Sequence, residues 1–383
     1  MNFYICLDVS RLLSRHISGL LPTGVDRVGI AYIRHYGRRV VAVLSWRGFV
    51  VELRPRYSNR IIDVLSGEGA GLSKWYIFLC VVLSLFYSPR SRVLLHTAHS
   101  GLEFERYYRR LGREGIRVVA MIHDLIPLTH PEYCRPGVLP AQARRMIVAM
   151  TRSAGIIANS ADTAQAIETA APRLGCAVPA MVTALLAGGT PVSYPGDRPL
   201  AQPYFVMLST IEPRKNHWML LHVWRDLVQR MGDQAPTLVV IGRRGWECEN
   251  VVDMLERCEV LKGKVIEESE CSDERLHLYL QHAQALVFPS FVEGYGMPLV
   301  ESLQLGVPVI ASNLGVFHEI AGEIPDYLDP LDGPGWARKV MEYSQSASPA
   351  RKAQLQRLQG YQAPSWEQHF AVVDAFVERL MRT

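Results

Sequence analysis

The sequence predicts an α/β protein made of two consecutive open domains, each a parallel sheet with helices on both faces. Three observations carry this. Short apolar runs of about five residues alternate with longer amphipathic stretches, which is the pattern of βαβ units. The alternation breaks at residues 188–203 (GGTPVSYPGDRPLAQP) into Gly, Pro and polar residues, then starts again. With 383 residues, 49% of them hydrophobic and 20% charged, the chain is too long for one core and too apolar for disorder.

Taken in order, the first half is expected to hold strands at residues 4–9, 40–44, 93–96, 118–122 and 155–158. Helices are expected at 25–35, 102–111, 140–152 and 161–171. After the break, strands are expected at 204–208, 237–241, 264–266, 285–288 and 307–311, with helices near 216–230, 249–258, 273–283 and 298–305. Two such domains expect a ligand cleft at facing strand C-termini. The run 75–87 (WYIFLCVVLSLFY), flanked by Lys74, Arg90 and Arg92, is too short to cross a bilayer, which takes about 20 residues. A buried core helix and a segment lying in a membrane interface both fit it.

The seven cysteines are scattered, with no C-x-x-C pair and no Cys/His cluster at zinc spacing, a usage that suits a reducing cytoplasm. The N-terminus reads as a first strand without a basic leader or cleavage site, so no export is expected. The net charge of +4 conceals an asymmetry, because residues 1–120 hold 18 Lys and Arg against 8 Asp and Glu. A basic half of this kind can meet nucleic acid, an anionic membrane or a phosphorylated substrate.

Residues 285–311 (ALVFPSFVEGYGMPLVESLQLGVPVIA) carry the most chemistry. A strand ends at Pro289-Ser290, a loop Glu293-Gly294-Tyr295-Gly296 follows, and Pro298 takes the first helical position with Glu301 in the first turn and Gly306 as the closing glycine. Glycines let the backbone approach a ligand, and the N–H groups of the helix start point at an anion. Glu293 and Glu301 then flank it as acceptors for hydroxyl groups, although Glu301 alone also reads as a complement to the helix dipole. Residues 209–216 (STIEPRKN) follow a strand and open a helix, a second anion position. Three further strand ends deliver Gly242-Arg243-Arg244-Gly245, His123-Asp124 and Asn159-Ser160, the last also a helix cap; Thr23-Gly24 opens the first helix.

The spacing E-x7-E within PSxxEGYGMPxxES resembles glycosyltransferase family 4, the retaining glycosyl transferases group 1 with the GT-B fold of two Rossmann-like domains. The resemblance is strong over 204–323, moderate over 118–170 and thin over 39–92. It implies an acceptor domain at 1–195, a nucleotide-sugar domain at 196–364 and a last helix, 365–383, returning to the first domain. It assigns Glu293 to the transferred sugar, Glu301 to the nucleotide ribose, and the backbone of Gly294, Tyr295, Gly296 and Met297 to sugar and phosphate. Lys215 matches the family's phosphate-binding lysine; the usual arginine position is Thr210, and Arg214 is the nearest cation. Arg243 falls near the nucleotide base, Gly24 near the diphosphate, His123 on the donor sugar, and Asp124 and Ser160 on the acceptor side. No D-x-D motif is present, so no metal and no other cofactor is expected.

The same resemblance implies a hexosyltransferase taking a sugar from a nucleotide-sugar donor, with GDP-mannose the leading candidate. The acceptor is a lipid-diphosphate-linked saccharide in bacterial surface polysaccharide synthesis, and the partner surface an anionic membrane rather than nucleic acid. The expected location is cytoplasmic, peripheral at the inner face of the plasma membrane. A UDP-hexose donor with a soluble acceptor, and a non-catalytic binding subunit, are the alternatives.

Overall fold

Seven strands form the sheet of the N-terminal unit: β1 (Ile5–Asp8), β2 (Val40–Trp46), β3 (Phe49–Glu52), β4 (Val93–His96), β5 (Arg117–Ile122), β6 (Gly155–Ala158) and β7 (Ala180–Thr183). Their order is β3-β2-β1-β4-β5-β6-β7, and every pairing is parallel except β2 with β3. The β2–β3 connection is a two-residue hairpin, Arg47 at φ 48 and Gly48 at φ 86, the paired positive values that match strand twist. The computed structural model describes residues 5–69, 71–87, 92–189 and 194–382. Tyr4, Arg90 and residues 190–193 of the expected break lie outside them.

Helices α1 (Ser10–Ile17), α2 (Gly24–Tyr36), α3 (Pro55–Ser66), α4 (Lys74–Ser84), α5 (Glu105–Arg113), α6 (Ile126–Thr129), α7 (Val138–Arg152) and α8 (Ala161–Arg173) fill the connections. Because α1 precedes it, the helix opened by Thr23-Gly24 is the second, not the first. Thr23 and Asp26 close its first turn reciprocally: Asp26 Oδ2 accepts from the Thr23 backbone N–H at 2.7 Å and from its hydroxyl at 2.6 Å. The expectation of a helix from residue 102 is corrected to Glu105.

The core-helix reading of 75–87 does not hold, because α4 buries only Cys80 and Ser84. Trp75, Phe78, Leu79, Val82, Leu83 and Phe86 are all exposed.

In the second unit, β8 (Tyr204–Leu208), β9 (Thr237–Ile241), β10 (Val265–Glu268), β11 (Leu286–Phe288), β12 (Val309–Ser312) and β13 (Asp326–Leu328) form an all-parallel sheet in the order β10-β9-β8-β11-β12-β13. Its helices are α9 (His217–Met231), α10 (Glu249–Arg257), α11 (Asp273–Gln281), α12 (Met297–Gln304), α13 (Gly315–Ala321), α14 (Gly333–Ser344) and α15 (Pro349–Leu358). The central strands β8, β9, β11 and β12 are buried almost throughout, as runs covered on both faces must be. The edge strands β3, β7 and β13, which the sequence pattern misses, are half-buried and carry no such run.

The chain groups into two units, Met1–Leu186 with Ser365–Thr383, and Ala187–Pro364. The last helix, α16 (Trp366–Arg382), therefore packs in the first unit. His369 meets the Tyr32 hydroxyl at 2.9 Å, Phe370 stacks on His35 at 3.8 Å, and Asp374 accepts from the Tyr36 hydroxyl at 2.7 Å. Gly155 in β6 admits the helix, since a Cβ there would come within 2.5 Å of the Phe376 ring.

Candidate functional site

Open α/β sheets bind ligands beyond the strand C-termini where the strand order reverses. In the second unit that point lies between β8 and β11. The two loops leaving it are 209–216 and 289–296, and their backbones are tied together. Phe291 N–H donates to Arg214 O at 2.8 Å, and the Asn216 amide donates to Pro289 O at 3.2 Å and Pro330 O at 2.8 Å. Asn216 itself takes the left-handed conformation, φ 60, that this crossing needs.

Four charged side chains meet there, two of each sign. Lys215 Nζ lies 2.5 Å from Glu293 Oε1, Arg214 Nη1 lies 2.7 Å from Glu293 Oε2, and Arg214 Nε lies 2.6 Å from Glu212 Oε1. The Ser290 hydroxyl donates to Glu293 Oε1 at 2.6 Å. Glu212, Lys215 and Glu293 are buried. Burial by itself would raise the Glu293 carboxyl, but the Lys215 ammonium and the Arg214 guanidinium outweigh it and hold its pKa at about 2. Burial, helped by the Arg214 charge, lowers Lys215, and burial raises Glu212. Buried charges of this kind persist only when paired and hydrogen-bonded.

Beyond Glu293, Tyr295 is buried and Gly296, at φ 135, lets the chain pass Phe317, whose ring would lie 2.8 Å from an added Cβ. The loop ends there, so α12 starts at Met297. Pro298 is accordingly the second helical residue, not the first, and Glu301 stands in the second turn, not the first. The dipole effect fades within one turn, so it does not account for Glu301. Gly189 lies beside Glu301, where a Cβ would stand 3.6 Å from Oε1.

The neighbouring strand end carries Gly242 and Gly245. A Cβ on Gly242 would fall 2.0 Å from Ser209 O, and one on Gly245 2.7 Å from Ile211 O, so both glycines are needed for this loop to lie on residues 209–211. Arg243 is exposed, while Arg244 holds Glu267 at 2.8 Å and Glu256 at 2.6 Å.

In the first unit the strand order reverses between β1 and β4. Asp8 at the end of β1 accepts from the Ser45 hydroxyl at 2.8 Å, with His96 Nδ1 at 3.6 Å. Just past the end of the neighbouring β5, His123 is held on every side. Its Nε2 lies 2.8 Å from Thr97 O, its backbone N–H donates to His99 Nε2 at 2.9 Å, and its carbonyl accepts from the Asn159 amide at 2.9 Å. The Thr97 carbonyl can only accept, so Nε2 carries the proton and Nδ1 remains as the acceptor. Burial lowers both His123 and His99, which keeps the pair neutral near pH 7.

Asp124 turns the following loop, its Oδ1 accepting from Ile126 N–H at 3.1 Å. The Ser160 hydroxyl is buried and accepts from Thr163 N–H at 3.0 Å, so it caps α8. Gly24 sits in the first turn of α2, where Asp26 also pairs with Arg11 and Arg15, each at 2.8 Å.

The structure thus brings Lys215, Arg214 and Glu293 together and adds Glu212, Ser290 and Asn216, which sequence reasoning did not single out. It adds His99 in the first unit as well. His99 follows the end of β4 in HTAHSG, and a search for polar residues just past strand ends would have found it. Among the described residues no group of three or more His, Cys, Asp or Glu side chains is arranged to hold a metal ion.

Residues 195–324 match the family described as glycosyl transferases group 1. The serotype-specific mannosyltransferase WbdA of Escherichia coli is 28% identical over 285 residues, 66% of this chain and 33% of that protein. O-antigen chain mannosyltransferase B of Escherichia coli is 31% identical over 166 residues, 43% of each chain. The chain spans about a third of WbdA's length and under half of the second relative's. Among solved structures, Anabaena Alr3699/HepE in complex with UDP and glucose superposes with a TM-score of 0.68 at 15% identity over all of both chains. Sucrose-phosphate synthase from Thermosynechococcus elongatus does so with 0.66 at 14% over 99% of each. The fold is GT-B.

Proposed function

We propose, on the premise that residues 195–324 form a glycosyl transferases group 1 domain, that the protein is a retaining hexosyltransferase that takes mannose from GDP-mannose. The acceptor in this reading is a lipid-diphosphate-linked saccharide of bacterial surface polysaccharide synthesis, met at the anionic inner face of the plasma membrane. The observation that carries it is the Lys215–Glu293–Arg214 cluster at the reversal of strand order in the second unit. The relatives' names, serotype-specific and O-antigen chain mannosyltransferases, support the choice of mannose and of the acceptor class.

The cluster suits this chemistry because its charges are already fixed in place. An incoming diphosphate takes over the Lys215 and Arg214 cations, and the Glu293 carboxylate, so released, accepts hydrogen bonds from sugar hydroxyls. Arg214 reaches the same carboxylate as Lys215, so it supplies the second cation that Thr210 does not. Negative charge grows on the diphosphate as the sugar C1–O bond breaks, and fixed cations stabilise it without reorganising. The N–H groups at the start of α12 add to this, with Gly294, Tyr295, Gly296 and Met297 as the backbone that approaches the ligand. Glu301 binds ribose hydroxyls, and Arg243 lies toward the base.

In the first unit, neutral His123 is the group assigned to sugar hydroxyls, and Asp124 is assigned to the acceptor. The acceptor hydroxyl attacks C1 on the face the diphosphate leaves, and its proton passes to a diphosphate oxygen. The anomeric configuration is thereby retained without an enzyme nucleophile.

Thermal stability against a panel of nucleotide sugars tests the reading, since ligand at 100 times its Kd stabilises by about 2.7 kcal/mol. A shift with GDP-mannose and GDP is expected. A shift with UDP-hexoses alone would replace the donor, and no shift with any would remove the catalytic reading.

A further inference from the structure

Helix α4 presents a continuous apolar stripe to solvent. Trp75, Phe78, Leu79, Val82 and Leu83 recur at the spacing of one helix face and Phe86 follows in the turn after it; Trp75 is 80%, Phe78 61% and Phe86 93% exposed. The opposite side is anchored, with Cys80 and Ser84 buried, the Ser84 hydroxyl accepting from Arg54 N–H at 3.2 Å and the Ser73 hydroxyl capping the first turn at Tyr76 N–H. A stripe of this width on a well-formed helix marks a surface that meets something else.

Its charge surroundings select the occupant. No acidic residue occurs between Glu68 and Glu103 in the sequence. Lys74 stands in the first turn, where a cation opposes the helix dipole, so its position does not serve the helix. Arg54 is exposed at the other end of the stripe, and Arg56 and Arg60 are exposed on α3, Arg60 lying over the Tyr76 ring. A second copy of the chain is a poor match, because pairing about a two-fold axis would set Lys74 of one copy against the Arg54 end of the other. At 11 residues, about 16 Å, the helix is half as long as a bilayer core is thick. Among the described residues no helix is long and apolar enough to cross a membrane.

We propose that α4 is a membrane-interface anchor that lies flat in the headgroup layer of an anionic bilayer, its aromatic and aliphatic stripe among the acyl chains and Lys74 and Arg54 on lipid phosphates. A flat helix with an apolar face and basic flanks binds anionic surfaces by both terms together. The anchor deepens the proposed function and rests on it for its purpose, since it would hold the enzyme where a lipid-linked acceptor resides.

Co-sedimentation of the purified full chain with phosphatidylglycerol-containing vesicles, and with phosphatidylcholine vesicles, tests it. Binding to the anionic vesicles that weakens with salt is expected. The variant Trp75→Ser/Phe78→Ser/Phe86→Ser, which changes only exposed positions, should bind at least about tenfold more weakly. Lys74→Gln/Arg54→Gln should lower both affinity and salt dependence. Failure of the full chain to bind, or unchanged binding by the triple variant with its circular dichroism intact, overturns the anchor. A concentration-dependent dimer that the triple variant disperses would also overturn it, by giving the stripe to a second copy. The nucleotide-sugar panel reads independently of vesicles: the triple variant retains its donor shift if the transferase reading holds, and an absent shift beside intact vesicle binding would sink that reading and not the anchor.

Discussion

Lys215 and Glu293 are counter-ions before any ligand arrives, and Lys215 together with Arg214 holds the Glu293 carboxyl low. Substituting Lys215→Ala or Glu293→Gln should lower turnover by roughly 10² to 10³ with the fold retained, read as kcat with GDP-mannose. Near-normal turnover in either variant would remove that residue from the mechanism. Lys215→Ala leaves Glu293 its Arg214 partner, so it should disturb stability less than Glu293→Ala, which strands a buried ammonium. Sequence spacing placed Lys215 and Glu293 in loops after strands, because glycine and proline punctuation is legible in one dimension, and the family resemblance gave them their expected roles. Glu212, Ser290 and His99 were not legible, since each matters through a partner that only chain crossing supplies.

At the level of elements, strand placement followed apolar runs where both faces are buried, whereas helices such as α3 and α14 were not placed. The central strands β4, β6, β8 and β9 fall on their expected residues, whereas β3, β7 and β13 lack the run that marks a buried strand. The seat of α16 is the sharpest packing constraint in the first unit. Gly155→Ala would drive a methyl into Phe376 and Leu380, and overpacking of this kind costs about 1–3 kcal/mol. The expected result is a lower melting temperature and a lower urea midpoint, and an unchanged midpoint would mean that α16 shifts freely on β6. In the second unit α12 starts at Met297, one residue before the expected 298, which puts Glu301 in its second turn. Gly296 must pass Phe317 before the helix can start.

For the molecule as a whole, acid should be destabilising well before its carboxylates titrate. Burial pulls His369 down to about 4 in one unit, and burial followed by the Lys215 charge pulls His217 down to about 3 in the other. Both imidazoles are thus neutral when folded and protonate near pH 6.5 when unfolded. The unfolded state binds more protons as pH falls below about 6.5, so stability present above that value is lost toward pH 4, at up to about 1.4 kcal/mol per pH unit for each histidine. Glu293 adds a further loss between its ordinary 4.5 and its folded value of about 2. Melting temperature should therefore fall from about pH 7 to about pH 5, and His369→Gln should flatten the fall. A flat profile in the parent protein would show these histidines charged in the folded state.

The sequence by itself determined the two-unit α/β plan, the strand ends that carry polar residues, and the Glu293–Glu301 and Lys215 positions, because periodicity, turn residues and motif spacing are local properties. It left 75–87 between core and interface, since a helix apolar on every side reads the same whether covered or bare. Only the tertiary structure decided that Arg214 reaches the carboxylate of Glu293, that His99 holds His123, and that the α4 stripe faces solvent. Each of these depends on which distant segments meet, and that is fixed by sheet order and packing.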